Sequence, residues 1–402
     1  MQISALPHLV LAAIALVCGT VAAATSTDTA GIVPELKISY TLNGLTAAQD
    51  SRPQDLWDRI RMGFRLSEVN PDLTRRHERW YVERSDHLLR AIDRSRPYLY
   101  HIVDEVEKRD MPMEVALLPL IESAFNPMAE SPRQATGIWQ FIPSTGRVFG
   151  LQQNAWYDGR RDVLAATRAA LDYLQVLYRQ FGSWELALAA YNCGEGCVAR
   201  AIARNRAQGL STAYAALPLP TETQHYVPKL LAVRNLVRDP QSTGISLQAV
   251  ANEPYFVQVK ISQPMLTRQA AKLADISMEE FLTLNPAFQR RVIHTDTRGV
   301  LLLPADKVEV FHHNLQKKGT QRDGLQVYQG RKGEAVNGIA GRFGVSLEWL
   351  KEHNPLKLSR GRLTKDQVLY VPMPTMSTPA RLVRSEPRSA DVEGSGKRKG
   401  ES

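Results

Sequence analysis

The sequence predicts a multidomain fold, in which an all-α domain is followed by small α+β modules of strand–helix–helix–strand (βααβ) plan. Two observations support this prediction. Apolar residues recur at helical spacing over residues 55–237, whereas β-branched runs and short helical stretches dominate beyond Gly244. In the second region, one pattern of four elements occurs twice. The length of 402 residues is sufficient for two or three domains.

The first 24 residues carry no Lys, Arg, Asp or Glu. Their apolar run at 9–17 is followed by three alanines at 22–24, a pattern typical of a secretory signal peptide. The run is too short to cross a bilayer core of ~30 Å. We therefore predict a cleaved signal at 1–24 and a location in the periplasm or cell envelope. A lipid anchor on Cys18 is the less favoured alternative, because Ala15-Leu16-Val17 does not resemble a lipoprotein box.

The net charge of the chain is +9. A basic protein attracts anionic polymers such as nucleic acid, anionic lipid or bacterial cell wall, although a solvated surface explains the charge equally well. Because export argues against nucleic acid, we predict no nucleic-acid partner. No other segment approaches ~18 consecutive apolar residues, so we expect a soluble or peripherally membrane-associated monomer.

Two cysteines, Cys193 and Cys197, remain after removal of the signal. An oxidising compartment favours a disulfide between them. A regular helix would hold their Cβ atoms poorly for bridging, but Gly194 and Gly196 interrupt that regularity. The pair is therefore a candidate disulfide. No histidines cluster nearby, so we predict no metal site.

The α domain is predicted over residues 54–240, after a poorly ordered lead-in at 25–53. Its first part, 54–110, has the spacing of two or three amphipathic accessory helices. Its second part, 111–240, is rich in Ala and Leu and forms the predicted core.

Two helices of this core are clearly delimited. The first covers residues 162–181, with Asp162 as N-cap and Gly182 as its end. The second begins near Trp184 and ends at Cys193. Leu164, Leu171, Leu174 and Tyr178 share one face of the first helix.

The internal repeat relates residues 276–286 to residues 345–355, with Ser, Glu, Asn and Pro at matching places. Each copy lies between two strand-like stretches, which predicts βααβ modules over 255–305 and 325–373. Residues 377–402 are rich in Ser, Arg and Lys, and we predict a disordered basic tail.

Glu122 is the first candidate for chemistry, because it ends a mostly apolar segment, 113–123. Burial raises the pKa of a carboxyl group and prepares it to act as a general acid near neutral pH. A lone glutamate is, however, more often a cap or an arginine partner.

Other segments add groups that can contact a sugar. Trp139 offers a stacking surface and Gln140 a hydrogen-bonding amide, while Tyr191 and Asn192 stand at a predicted helix end. Tyr226 follows in a later polar segment. Each alone is a weak signal, since aromatic residues at such places most often belong to the core.

In their order and types these motifs resemble the lytic transglycosylases with a goose-lysozyme-like α domain. That family carries a Glu-Ser pair, a Gly-Leu-Met-Gln motif, an Ala-Tyr-Asn-x-Gly motif and a later tyrosine. Here they correspond to Glu122-Ser123, residues 137–140, residues 190–194 and Tyr226. The resemblance covers about residues 50–240 and is strongest with one membrane-bound branch. It implies a lysozyme-like catalytic domain that acts on peptidoglycan glycan strands without a cofactor.

The resemblance also implies a mechanism with one carboxylate, whereas glycoside hydrolases generally use two. Glu122 would protonate the oxygen between N-acetylmuramic acid and N-acetylglucosamine, then accept the proton of the muramoyl 6-hydroxyl, which closes on C1. Ser123 would orient Glu122 or that hydroxyl. The substrate-binding residues would be Trp139, Gln140, Tyr191, Asn192 and Tyr226. The alternatives are a lysozyme-type hydrolase and a non-catalytic wall-binding protein.

The repeats resemble LysM modules, which share the βααβ plan and bind glycans containing N-acetylglucosamine. The second copy is the closer match, because Lys332-Gly333-Glu334 stands where that family has Gly-Asp-Ser/Thr. Its implied glycan contacts are Gly333, Glu334, Asn354 and Pro355. The first copy lacks the glycine turn, which indicates a structural role.

Overall fold

The computed structural model describes residues 40–41, 53–293, 299–318 and 324–373. The predicted signal peptide with Cys18, the basic tail and most of the lead-in lie outside the described residues. Within the predicted lead-in, Tyr40–Thr41 forms a short strand, β1.

The α domain consists of nine helices interrupted by short 3-10 turns at Met113–Leu117, Tyr214–Ala216 and Gln241–Thr243. The helices are α1 (Leu56–Met62), α2 (Pro71–Glu83), α3 (Ser85–Lys108), α4 (Leu118–Ser123), α5 (Pro143–Val148), α6 (Val163–Phe181), α7 (Trp184–Cys193), α8 (Glu195–Ala207) and α9 (Thr221–Arg238).

The helix ends follow from capping chemistry. The carboxylate of Asp162 accepts from Ala165 N at 2.7 Å and begins α6, and Gly182, with φ +68°, ends it. Both ends were predicted. Of the four residues predicted to share a face, Leu171 and Leu174 are buried, whereas Tyr178 is 39% exposed and its ring stacks on Trp184. The helix also buries Ala166, Ala169 and Ala170.

The core of the α domain gathers residues from all its long helices, including Trp57, Tyr98 and Leu171, each almost completely buried. The chain after α9 returns to α1, where Leu56 N donates to Val250 O at 2.8 Å and Asn252 N to Gln54 O at 3.0 Å. The packing of the α domain therefore continues beyond the predicted end at residue 240.

The remaining chain forms two βααβ modules. The first contains β2 (Phe256–Lys260), β3 (Met265–Leu266), α10 (Thr267–Ala274), α11 (Met278–Leu284), β4 (Val292–Ile293), β5 (Val300–Pro304) and an additional helix, α12 (Val308–Lys318), that the sequence reading did not predict. The second contains β6 (Leu325–Gly330), α13 (Val336–Arg342), α14 (Leu347–His353), β7 (Leu358–Ser359), β8 (Arg362–Leu363) and β9 (Gln367–Pro372).

The sheets are small and antiparallel. Strand β2 lies between β1 and β5, while β3 pairs with β4, β6 with β9, and β7 with β8. In each module the outer strands pair along their full length, with Phe256 opposite Pro304 and Leu325 opposite Pro372.

The Asn-Pro pair repeated in the sequence has a structural explanation. The Asn354 amide donates to Tyr370 O at 2.9 Å and accepts from Tyr370 N at 2.7 Å. Asn285 brackets the backbone of Leu302 in the same way, at 2.8 Å for both bonds. Each asparagine thus ties the second helix of its module to the last strand. The predicted glycan contact of Asn354 is wrong, because its side chain is committed to this bracket and the residue is 1% exposed.

Among the described residues, no helix is both long and apolar enough to cross a membrane.

Candidate active site

Glu122 lies at the end of α4, where the helix is stopped by two consecutive residues in the left-handed region. Ala124 has φ 50° and Phe125 has φ 55°. Non-glycine residues adopt this conformation at a cost, and such strain concentrates at functional sites. Gln134 and Gln140 on the neighbouring turn have the same conformation.

The carboxyl group of Glu122 is surrounded by protein, although the residue retains some exposure to solvent. The hydroxyl of Tyr226 donates to its Oε1. Burial raises the pKa of Glu122 to about 7, against the lowering effects of the Tyr226 hydrogen bond and the charge of Lys229. A carboxyl group with this pKa can donate a proton near neutral pH and take it back.

Ser123 contacts backbone carbonyls. Its Oγ lies 3.0 Å from Ile138 O and 3.1 Å from Pro119 O. The hydroxyl thereby fastens the turn at 137–140 to the helix that carries Glu122. That Ser123 orients Glu122 or the muramoyl 6-hydroxyl stays a prediction.

The turn itself is closely packed. Gly137 has φ +82°, and a Cβ atom at this position would lie 2.1 Å from Arg160 O. Only glycine can therefore occupy it without displacing backbone. The side-chain amide nitrogen of Gln140 donates to Gly137 O at 2.8 Å, which holds this half-buried side chain at the turn.

The predicted sugar platform at Trp139 is wrong. Its side chain is completely buried, and its Nε1 donates to Thr167 Oγ1 on α6 at 3.0 Å. An indole in the core cannot present its face to a sugar. The backbone of Trp139 does reach the site, because the Tyr191 hydroxyl donates to Trp139 O at 2.9 Å.

The end of α7 brings Tyr191 and Asn192 to the site. Asn192 Oδ1 accepts from Thr223 Oγ1 on α9 at 2.7 Å, which orients the amide. Immediately afterwards Cys193 and Cys197 form a disulfide, with their Cα atoms 5.9 Å apart. The bridge spans the turn at Gly194 between α7 and α8.

Sequence reasoning missed two residues on α9, Thr223 and Lys229. They lie three positions before and after Tyr226, so that all three share a helix face. Lys229 Nζ donates to Ile121 O at 3.1 Å, beside Glu122. The helical spacing around Tyr226 was the signal that could have identified both.

The predicted glycan residues of the second module form a small surface cluster. Glu334 accepts from the Tyr328 hydroxyl at 2.6 Å and from Arg331 N at 3.1 Å. Gly333, with φ +82°, is exposed, and Pro355 is half-buried. The cluster is separate from the site around Glu122.

Within the part of the chain that the structure describes, no group of His, Cys, Asp or Glu is arranged to hold a metal ion. The groups gathered around Glu122 are a phenol bonded to its carboxyl group, a nearby ammonium group and two side-chain amides held by hydrogen bonds.

Two family models match the chain. The Transglycosylase SLT domain matches residues 100–213, which include Glu122 and the end of α7. The LysM-like domain of lytic transglycosylase MltD matches residues 255–319. The second match covers the first repeat together with α12, whereas the sequence motifs indicate the second repeat as the closer LysM relative.

A structure of the 70 kDa soluble lytic transglycosylase of Escherichia coli shares 21% identity, with a TM-score of 0.30 over 44% of this chain and 32% of that one. The membrane-bound lytic murein transglycosylase D of Escherichia coli strain K12 is 36% identical over 331 residues, covering 79% of this chain and 72% of that protein. The same protein of strain CFT073 matches to the same extent. Since this similarity spans both the α domain and the repeats, the chain belongs to the lytic murein transglycosylase D family.

Proposed function

We propose that this chain is a peptidoglycan lytic transglycosylase in which Glu122 acts first as acid and then as base. The observation that carries the proposal is the carboxyl of Glu122, whose pKa burial raises to about 7 while Tyr226 donates to it. Membership of the lytic murein transglycosylase D family supports the same activity.

In the first step, the proton of Glu122 moves to the oxygen that links N-acetylmuramic acid to N-acetylglucosamine, and the bond from C1 to that oxygen breaks. The N-acetyl oxygen of the muramoyl residue stabilises the cationic centre at C1. Ionised Glu122 then receives the proton of the 6-hydroxyl as its oxygen bonds to C1. The product is a 1,6-anhydro sugar, and no water is consumed.

The neighbouring groups serve this cycle. Tyr226 and Lys229 favour the ionised form of Glu122 that exists between the two steps. We assign the bonding of the sugar and its N-acetyl group to Asn192, whose amide Thr223 orients, and to Gln140, whose amide is held at the turn. The proposal requires no cofactor.

A lysozyme-type hydrolase is the second candidate, because Glu222 is close enough for its charge to raise the pKa of Glu122. Retaining and inverting hydrolases both need a second carboxylate. Glu222 is exposed in the first turn of α9, so it is the residue to test for that role.

Purified sacculi digested with wild type, Glu122→Gln and Glu222→Gln would separate the two reactions by product mass. We expect wild type to release anhydro-muropeptides, one water lighter than hydrolysis products. Glu122→Gln should lose roughly a thousandfold or more of the rate, since general acid–base catalysis alone contributes about 10²–10⁴-fold. Glu222→Gln should still form anhydro products. Water-added products from wild type, lost in Glu222→Gln, would establish the hydrolase.

Similarity to a membrane-bound lytic murein transglycosylase supports a location in the cell envelope. We further propose that residues 1–24 direct export and that the enzyme acts as a monomer, either soluble or peripherally associated with the membrane. Mass spectrometry of the mature N-terminus would reveal cleavage or a lipid on Cys18.

A further inference from the structure

The first repeat is joined to the α domain at its core. The Tyr98 hydroxyl of α3 donates to Thr283 O on α11 at 2.8 Å. Phe256, Leu284 and Leu302 belong to the same buried cluster as the core of the α domain. The first module is thus packed as part of the catalytic body.

The contact continues along the stretch 285–289, which follows α11. Asp158 N donates to Ala287 O at 2.9 Å, and Gln289 N donates to Trp156 O at 2.8 Å. These two bonds form a short antiparallel bridge to a segment of the α domain, residues 152–160, that we call the support loop. Because the Asn285 bracket fixes the start of this stretch, the bridge holds the support loop against a rigid partner.

The support loop also contacts the active-site turn at residues 137–140. Asp158 is 4% exposed and binds the Arg160 guanidinium at both carboxylate oxygens, at 3.0 and 2.7 Å. Arg160 Nη1 donates to Gln134 O at 2.7 Å and Phe141 O at 3.3 Å. These carbonyls flank the turn at 137–140, and Arg160 O is the atom that lies against Gly137.

The equivalent stretch of the second repeat pairs within its own module. The residues equivalent to 287–289 are 356–358, which end in β7, and this strand pairs with β8 of the same module. Lys357 and Ser359 are exposed. Two copies of one plan therefore use the same stretch differently.

We infer that residues 285–289 of the first repeat are a positioning element for the active site, acting through the support loop and Arg160 on the turn that carries Gln140. In this module the stretch after the second helix supports catalysis instead of binding glycan. The inference rests on the proposed transglycosylase activity.

The full-length variant Gln289→Pro tests the bridge, because proline removes the N–H that donates to Trp156 O. Phe288 is in an extended bridge, as the residue before a proline should be. Gln289→Ala is the matched control, since it shortens the side chain but keeps the backbone N–H. Turnover would be measured on soluble glycan strands, and binding to sacculi by sedimentation in the Glu122→Gln background.

We expect Gln289→Pro to lower kcat about ten- to hundredfold, the range for a small displacement of positioned groups. KM and sacculus binding should stay near wild type, and Gln289→Ala should keep its turnover. Undiminished kcat in Gln289→Pro would overturn the inference. So would lost sacculus binding with normal turnover, which would show that the first repeat binds glycan.

If Gln289→Pro fails to fold, Arg160→Lys tests the next link, because lysine keeps the charge but cannot span both the carboxylate and the two carbonyls. A fall in kcat at constant KM supports the inference, and unchanged kcat refutes it. A wild type that forms no anhydro product would instead refute the proposed function, so that the two failures are distinguishable.

Discussion

The active site has two sides of different construction. The turn side, residues 118–141, presents Glu122 from strained backbone, with Ala124, Phe125 and Gln140 all in the left-handed region. The helix side, α7 and α9, is regular and presents side chains at helical spacing, as with Thr223, Tyr226 and Lys229. Glu122 belongs to the turn side, whereas Tyr226 and Lys229, which lower the pKa of its carboxyl group, belong to the helix side.

The two sides hold their side chains in position by different contacts. The helix side is ordered by its own backbone hydrogen bonds and its burial in the core. On the turn side, the side chains of Ser123 and Arg160 donate to backbone carbonyls. Such contacts are needed because strained backbone conformations persist only when the surrounding structure holds them. Changes on the turn side should therefore disturb geometry and stability together, whereas changes on the helix side should alter chemistry in an intact fold.

The largest effect is expected from Gly137→Ala on the turn side. The added Cβ would lie 2.1 Å from Arg160 O, so the turn or the support loop must move. Left-handed strain of ~1–2 kcal/mol and overpacking of ~1–3 kcal/mol predict a loss of about 2–5 kcal/mol in the free energy of unfolding. Denaturant unfolding and turnover on sacculi would measure both consequences.

Gly150→Ala is the matched control, because Gly150 has φ +74° and no atom within 4 Å of its would-be Cβ. It carries the left-handed strain without the clash, so it should lose only ~1–2 kcal/mol and retain activity. Equal losses in the two variants would show that the turn side is not held by close packing on Arg160.

Tyr226→Phe should have the next largest effect and should leave stability nearly unchanged. It removes the hydroxyl that donates to Glu122. A hydrogen bond to a charged group contributes ~1.5–3 kcal/mol, which corresponds to a roughly ten- to hundredfold loss of kcat. Tyr173→Phe is the control, since that hydroxyl bonds Glu195 instead. A fall in melting temperature as large as that of Gly137→Ala would contradict the distinction between the two sides.

The sequence predicted the helix side better than the turn side, for a physical reason. Capping residues and helical spacing are local, so both ends of α7, at Trp184 and Cys193, were predicted correctly. The strain at Ala124 and the hold of Arg160 on the turn depend on contacts between distant segments. No local pattern encodes them.

Two wrong assignments have the same origin. Trp139 was expected at the sugar and lies in the core, because its partner Thr167 is on a helix whose approach the sequence does not specify. Asn354 was expected at the glycan and brackets Tyr370, a contact that requires the register of β9. Residue type alone does not distinguish a binding amide or indole from a satisfied buried one.

The smallest expected effect, a shift in pH dependence, comes from Lys229→Met. The positive charge of Lys229 lowers the pKa of Glu122, which burial raises to about 7. Removing that charge should raise the pKa further. Since the proposed reaction starts from protonated Glu122, activity should fall as pH rises through this pKa, and in Lys229→Met the alkaline limb of kcat/KM should move to higher pH.

Lys229→Arg keeps the charge and should keep the limb in place. Lys229→Met also loses the hydrogen bond from Lys229 Nζ to Ile121 O. This loss should lower the plateau rate by up to about tenfold, as expected for a hydrogen bond of ~0.5–1.5 kcal/mol. A limb that stays fixed or moves to lower pH in Lys229→Met would show that the lysine only anchors α4. If the alkaline limb moves to higher pH in Lys229→Met but not in Lys229→Arg, the helix side sets the pKa of the Glu122 carboxyl group, which the turn side positions.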